Sequence, residues 1–90
     1  MQSSLYAVHD AKAVAFCTPF VSDNDSTALR AFRFAANDLS TDIGRYPSDF
    51  TLYVIGTFDN QSGQVFSIEP AALALAATLV NPTEVTSNGL

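Results

Sequence analysis

Ninety residues with 48% apolar side chains, seven Phe and three Tyr suffice for one small domain that builds its own core without a metal or a disulfide framework. Nine acidic side chains oppose four basic ones, Lys12, Arg30, Arg33 and Arg45, for a net charge of −5. Phosphate binding needs several cations on one surface, and no basic run or tail supplies them, so direct high-affinity nucleic-acid binding by a monomer is disfavoured. The lone Cys17 excludes an internal disulfide and fits a reducing cytosol. Residues 1–4 lack the regions of a signal peptide. The apolar stretch over 70–80 is too short to span a bilayer, so no membrane partner is expected.

In chain order, residues 5–8 read as a short strand, 9–12 as a polar interruption and 13–20 as a second strand, which together predict a hairpin. Ala13, Ala15 and Cys17 share one side of that second strand, where Cys17 is expected as a small core residue. Pro19 cannot donate to a ladder and marks the strand's end or an edge. The polar run 22–26 starts a helix, with Asp23 or Asp25 as its N-cap. The helix is expected over 26–38, burying a stripe of Ala28, Leu29, Phe32, Ala35 and Ala36, with Arg30, Arg33 and Asn37 off it. Phe34 lies about 200° around the axis from Phe32. It falls on the wet face beside Arg30, against the pattern.

Residues 39–48 read as a loop that holds Arg45 and Tyr46. The organising stretch follows, over 47–68. Phe50, Leu52, Val54 and Phe58 alternate onto one face of a strand and Thr51, Tyr53, Ile55 and Thr57 onto the other. The turn 59–63 has Asp and Asn to bond their own backbone and Gly63 to take a positive φ. A strand apolar on both faces is central and covered twice. Pro70 then opens a second helix, expected over 71–79, and 83–90 reads as a flexible tail. The predicted fold is one α+β domain over 1–82: an antiparallel sheet of two hairpins with a helix between them, in the order β-β-α-β-β-α. The face carrying Tyr53 and Ile55 must be hidden by the final helix or by a second copy. A homodimer with those two residues at its interface is the expected arrangement.

Candidate chemistry is thin. His9-Asp10 has no nucleophile near it and reads as surface, and Cys17 has no positioned base. The run 23–25 resembles a calcium loop, but Ala28 stands where that loop needs Gly and Phe34 where it needs Glu. There is no second Cys or His for zinc, and the glycines at 44, 56, 63 and 89 form no phosphate loop. No enzyme, metal or cofactor is expected. Arg30, Arg33 and Arg45 with Tyr46 and Phe34 form either a cation-plus-aromatic surface for stacking single-stranded bases or an ordinary solvated helix face. Phe34 rimmed by Arg also reads as a protein-contact anchor.

Four stretches give the chain a resemblance: 5–12 (LYAVHDAK), Pro19-Phe20, 28–32 (ALRAF) with Asn37-Asp38, and 47–53 (PSDFTLY) running into 55–59 (IGTFD) and Ser62-Gly63. In order and spacing these resemble the small non-structural protein of gokushoviruses, the microvirus group that includes the Chlamydia phages. The chain departs from that pattern at Phe34, where the family carries a polar or acidic residue, and after Pro70, where it is richer in Ala. The resemblance implies a phage protein made in the host cytoplasm and absent from the mature shell. It implies a role in single-stranded genome synthesis or packaging, with phage or host replication and packaging proteins, or single-stranded DNA, as partners. It attaches no catalytic residues. The alternative is a homodimeric adaptor that binds a basic phage or host protein without touching DNA.

Overall fold

The computed structural model describes residues 2–82, so the tail expected over 83–90 lies outside the described residues. Five strands and two helices follow in the order β1 (Gln2–Asp10), β2 (Ala15–Phe16), β3 (Phe20–Ser22), α1 (Asp25–Ala36), α2 (Asp42–Arg45), β4 (Phe50–Asp59) and β5 (Val65–Leu75). Short 3-10 turns occupy Pro47–Asp49 and Ala76–Leu79. All strands join one antiparallel sheet in the order β2-β1-β4-β5, with β3 also on the outer edge of β1. The α+β class, the two hairpins and the helix between them stand as the sequence predicts.

The first hairpin is longer and more broken than expected. β1 runs for nine residues, and its partner is two short pieces, with Phe16 opposite His9 and Phe20 opposite Tyr6. Pro19 lies between those pieces, where no ladder amide is required. The connecting turn is closed by the Asp10 carboxylate, which accepts from the backbone N–H of Lys12 at 2.9 Å. Cys17 is not in the core: its N–H bonds the Val8 carbonyl at 2.7 Å while the residue is exposed. Ala13 and Ala15, expected on the same side as Cys17, are exposed as well.

α1 begins one residue earlier than expected, and its cap is Asn24 rather than Asp23 or Asp25. The Asn24 side chain accepts from the Thr27 N–H at 2.9 Å, and the Thr27 hydroxyl accepts from the Asn24 N–H at 3.2 Å. These reciprocal bonds satisfy donors that the first turn leaves open. Asp25 is thereby released to accept a hydrogen bond from the Tyr6 hydroxyl at 2.7 Å, tying the helix to β1. At the other end, the Asn37 side chain donates to the carbonyls of Arg33 and Leu79 and accepts from the Asn81 N–H, holding the last 3-10 turn against α1.

The core lies between α1 and one face of the sheet. Tyr6 and Val8 on β1, Phe50 and Leu52 on β4, Ala28, Phe32 and Ala36 on α1, and Ala76 are all buried. Phe20 stacks on Tyr6 at 5.7 Å between ring centroids. A register shift divides β4: Tyr6 faces Val54 but Leu5 faces Gly56, so Ile55 is an extra residue. One extra residue reverses the alternation beyond it. Thr57 therefore joins the helix-facing side and Phe58 the outer side, opposite to the expected assignment. Gly56 is needed at this bend, because a Cβ there would fall against the Phe66 carbonyl oxygen.

The second helix expected over 71–79 is instead the end of β5 followed by a 3-10 turn. Alanine favours helix, but nine isolated residues are marginal as one. Pairing Ala71, Ala72, Ala74 and Leu75 with Val54, Tyr53, Leu52 and Thr51 satisfies the free edge of β4 and places Ala76 in the core. Pro70 sits in the irregular stretch where β4 advances from Val54 to Gly56 while β5 runs back from Ala71 to Ser67. The region 39–48, expected as loop, contains the single-turn α2, whose Thr41 side chain accepts from the Gly44 N–H.

Two outcomes follow for stability. Removing the hydroxyl with Tyr6→Phe should cost about 1.5–3 kcal/mol in denaturant unfolding, the scale of a hydrogen bond to a charged acceptor. Burial, and then the bond to Asp25, raise the Tyr6 pKa above its ordinary value. A raised folded-state value means that this stabilisation is full below the ordinary tyrosine value of about 10 and is lost as pH rises through the shifted one. The wild-type advantage over Tyr6→Phe should therefore shrink only in strong alkali. Gly56→Ala should lower stability by about 1–3 kcal/mol, since the added methyl meets backbone that cannot rotate away.

Candidate functional site

Three surfaces stand out. The first is a cleft of about 340 Å³ lined by Asp10, Lys12, Asp42, Tyr46, Asp49 and Phe50. It forms where the β1–β2 turn meets α2 and the following 3-10 turn, joined by a bond from the Ala11 N–H to the Asp49 carbonyl at 2.8 Å. Three carboxylates against one ammonium make it an acidic mouth with an aromatic wall.

The second is the outward side of α1. Arg30 and Arg33 are three residues apart and Arg30 and Phe34 four apart, so all three share one strip of helix surface. Phe34 is 75% exposed. Neither arginine makes an ion pair with a described residue. Beside this strip an apolar groove of about 260 Å³ is lined by Val8, Phe20, Ala31, Phe32, Ala35 and Ile43.

The five residues proposed from sequence as a single-strand or partner site thus separate by element. Arg30, Arg33 and Phe34 lie on α1. Arg45 ends α2 and Tyr46 follows it. The Arg45 guanidinium donates to the Asp42 carboxylate at 2.8 Å and to the Leu39 carbonyl at 3.1 Å. Tyr46 opens onto the carboxylates of the acidic cleft rather than onto the α1 arginines.

The third surface is the outer face of the sheet, opposite α1. Tyr53 lies on it, edge-on to Phe16 at 5.3 Å and to His9 at 6.2 Å, and the His9 and Phe16 rings meet at 4.8 Å. Tyr53 and Ile55 are each half-buried, Ile55 at the bulge. No helix among the described residues covers this face.

The family described as Phage ORF5 protein matches residues 3–79, from the start of β1 to the last 3-10 turn. The chain belongs to that family. The chain is therefore a bacteriophage protein. The match includes residues 70–79, which the four resembling stretches did not reach. Neither the curated proteins nor the solved structures yield a match.

Sequence reading missed the acidic cleft and the ring cluster of the outer face. The cleft joins residues from 10 to 50 whose only shared signal is acidity in polar turns. The pairing of Phe16 with His9 depends on a two-residue strand that no periodicity could reveal. Among the described residues no cluster of His, Cys, Asp or Glu is arranged to hold a metal ion, and no helix is long and apolar enough to cross a membrane.

Elsewhere, bonds from the Ser40 hydroxyl and N–H lower the Asp38 pKa, and a bond from the Gln61 N–H lowers that of Asp59. Both aspartates serve turns. Phe34, by contrast, supports nothing in the fold: Phe34→Asp should leave the thermal midpoint within a few degrees of wild type in a melting experiment, whereas a large drop would show that it packs.

Proposed function

We propose that this chain is a non-enzymatic accessory protein of a gokushovirus-like phage, serving single-stranded genome synthesis or packaging in the host cytoplasm through contacts with proteins. The supporting observation is the placement of Tyr46 and Arg45. The aromatic that would stack a base opens onto Asp10, Asp42 and Asp49, and the arginine beside it is already bonded to Asp42. A phosphate backbone drawn toward Tyr46 meets three carboxylates against the single ammonium of Lys12, in a chain whose net charge is −5. The same acidic cleft suits a lysine or arginine of a basic phage or host protein.

A second reading keeps direct but weak DNA contact, and Arg30 and Arg33 favour it. They are exposed on one side of α1, next to an exposed Phe34. Two cations and one ring supply a shallow platform, short of the charged groove that single-strand binders use.

Titrating salt against binding of a labelled oligonucleotide separates the two. A phosphate-tracking mode weakens with salt at a slope of about 0.7 per neutralised phosphate on a single strand. The protein-contact reading predicts little or no binding even at low salt. Tight low-salt binding that falls steeply with salt, and that Arg30→Ala with Arg33→Ala abolishes, would overturn it in favour of DNA.

A further inference from the structure

We infer that the partner seated on the outer face of the sheet is a second copy of this chain, packed sheet against sheet about a twofold axis. The inference deepens the protein-contact reading by naming one of the contacts. It does not depend on the DNA result.

The ladder registers assign the face. Tyr53 and Ala72 are paired, Leu75 pairs with Thr51, Val65 with Phe58, Phe16 with His9, and Val21 with Leu5. All of these fall on the side away from α1. Among the described ladder residues on that side, none is Asp, Glu, Lys or Arg. In a chain of net charge −5, the paired positions of this face thus carry no formal charge, and Glu69 lies in the unpaired stretch of β5.

That absence selects the occupant. A basic partner needs carboxylates, and these are gathered at the cleft instead. Two acidic copies repel wherever their charges meet, and this face lets them approach without bringing charges together. It is also exposed where it is most apolar: Val65 is 58%, Val21 48% and Phe16 47% exposed.

Size agrees. Four strand widths at about 4.8 Å and a length of about 34 Å present on the order of 600 Å² of flat face. Side-chain relief raises the accessible area toward the roughly 800 Å² per partner typical of stable complexes. Pairing through the free edge of β5 is the less suitable route. Pro70 removes an amide from its middle and Glu69 sits beside it, both devices that discourage strand addition.

The test is molar mass by light scattering and sedimentation at micromolar concentration, for wild type and three variants checked for folding by circular dichroism. Wild type should run at twice the 9.6 kDa of one chain. Val21→Glu and Val65→Glu, on opposite edges of the sheet, should each give the single-chain mass with an unchanged spectrum. Phe34→Asp, on α1, should remain dimeric. Should a Glu variant fail to fold, wild type alone still decides: hydroxyl-radical oxidation of Phe16 and Tyr53 should fall as concentration rises, while that of Phe34 holds constant. A monomeric wild type would overturn the inference. So would a dimer that survives both folded Glu variants, one dissociated by Phe34→Asp, or oxidation of Phe16 and Tyr53 that is independent of concentration.

Discussion

Leu52 sits in the middle of β4 with no exposure to solvent, packed in one cluster with Tyr6 of β1 and Phe32 of α1. Its strand is hydrogen-bonded on both edges, to β1 and to β5. Full burial of one such side chain contributes about 1.5–3 kcal/mol, a large fraction of a small domain's net stability. β1 aligns so that Tyr6 and Val8 flank Leu52, and α1 lies over all three. The Tyr6 hydroxyl then fixes the start of the helix through Asp25, and Asn37 fixes its end. The rest of the chain is positioned from this contact outward.

The arrangement is one-sided. A sheet of this width has two faces, and α1 covers part of one of them: Phe66, opposite the helix-facing Thr57, is still 45% exposed. The segment after Pro70, which could have supplied a second cover, is instead consumed in extending the sheet beside β4. β5 is exposed along residues 65–72, on both faces. The charged groups are sorted by the same geometry: Asp10, Asp42 and Asp49 meet at the turns around α2, Arg30 and Arg33 lie on the outside of α1, and no charged residue takes a paired outer ladder position. The proposals of protein contact and of self-association both rest on this division.

Much of this was legible in the residues. The alternation of Phe50, Leu52 and Val54 and the stripe of Ala28, Phe32 and Ala36 are periodic signals set by which side chains must be buried, and they gave the central strand, the helix and the core between them. The second face of β4 was legible through Tyr53. What failed depended on long-range pairing. An Ala-rich run carries a local preference for helix, and only the open edge of β4 reverses it. The bulge at Ile55 moves Phe58 to the other face, and no local pattern announces a one-residue insertion. Asn24 won the cap over its acidic neighbours because Thr27 could return the bond and because Asp25 is engaged by Tyr6 from a distant strand. Arg30, Arg33 and Phe34 share one side of α1, where helical spacing puts them. Their separation from Arg45 and Tyr46 depends on how α2 docks, which spacing does not encode.

The account depends on one sheet in which β5 runs on to Leu75 along β4 and leaves the opposite face without a helix. Backbone NMR tests this most directly. Cross-strand contacts between Tyr53 and Ala72 and between Leu52 and Ala74, with extended-type chemical shifts over 71–75, are the expected result. Helical shifts and sequential amide–amide contacts running through 71–79 would contradict it, because a helix there would be free to cover the face now left open.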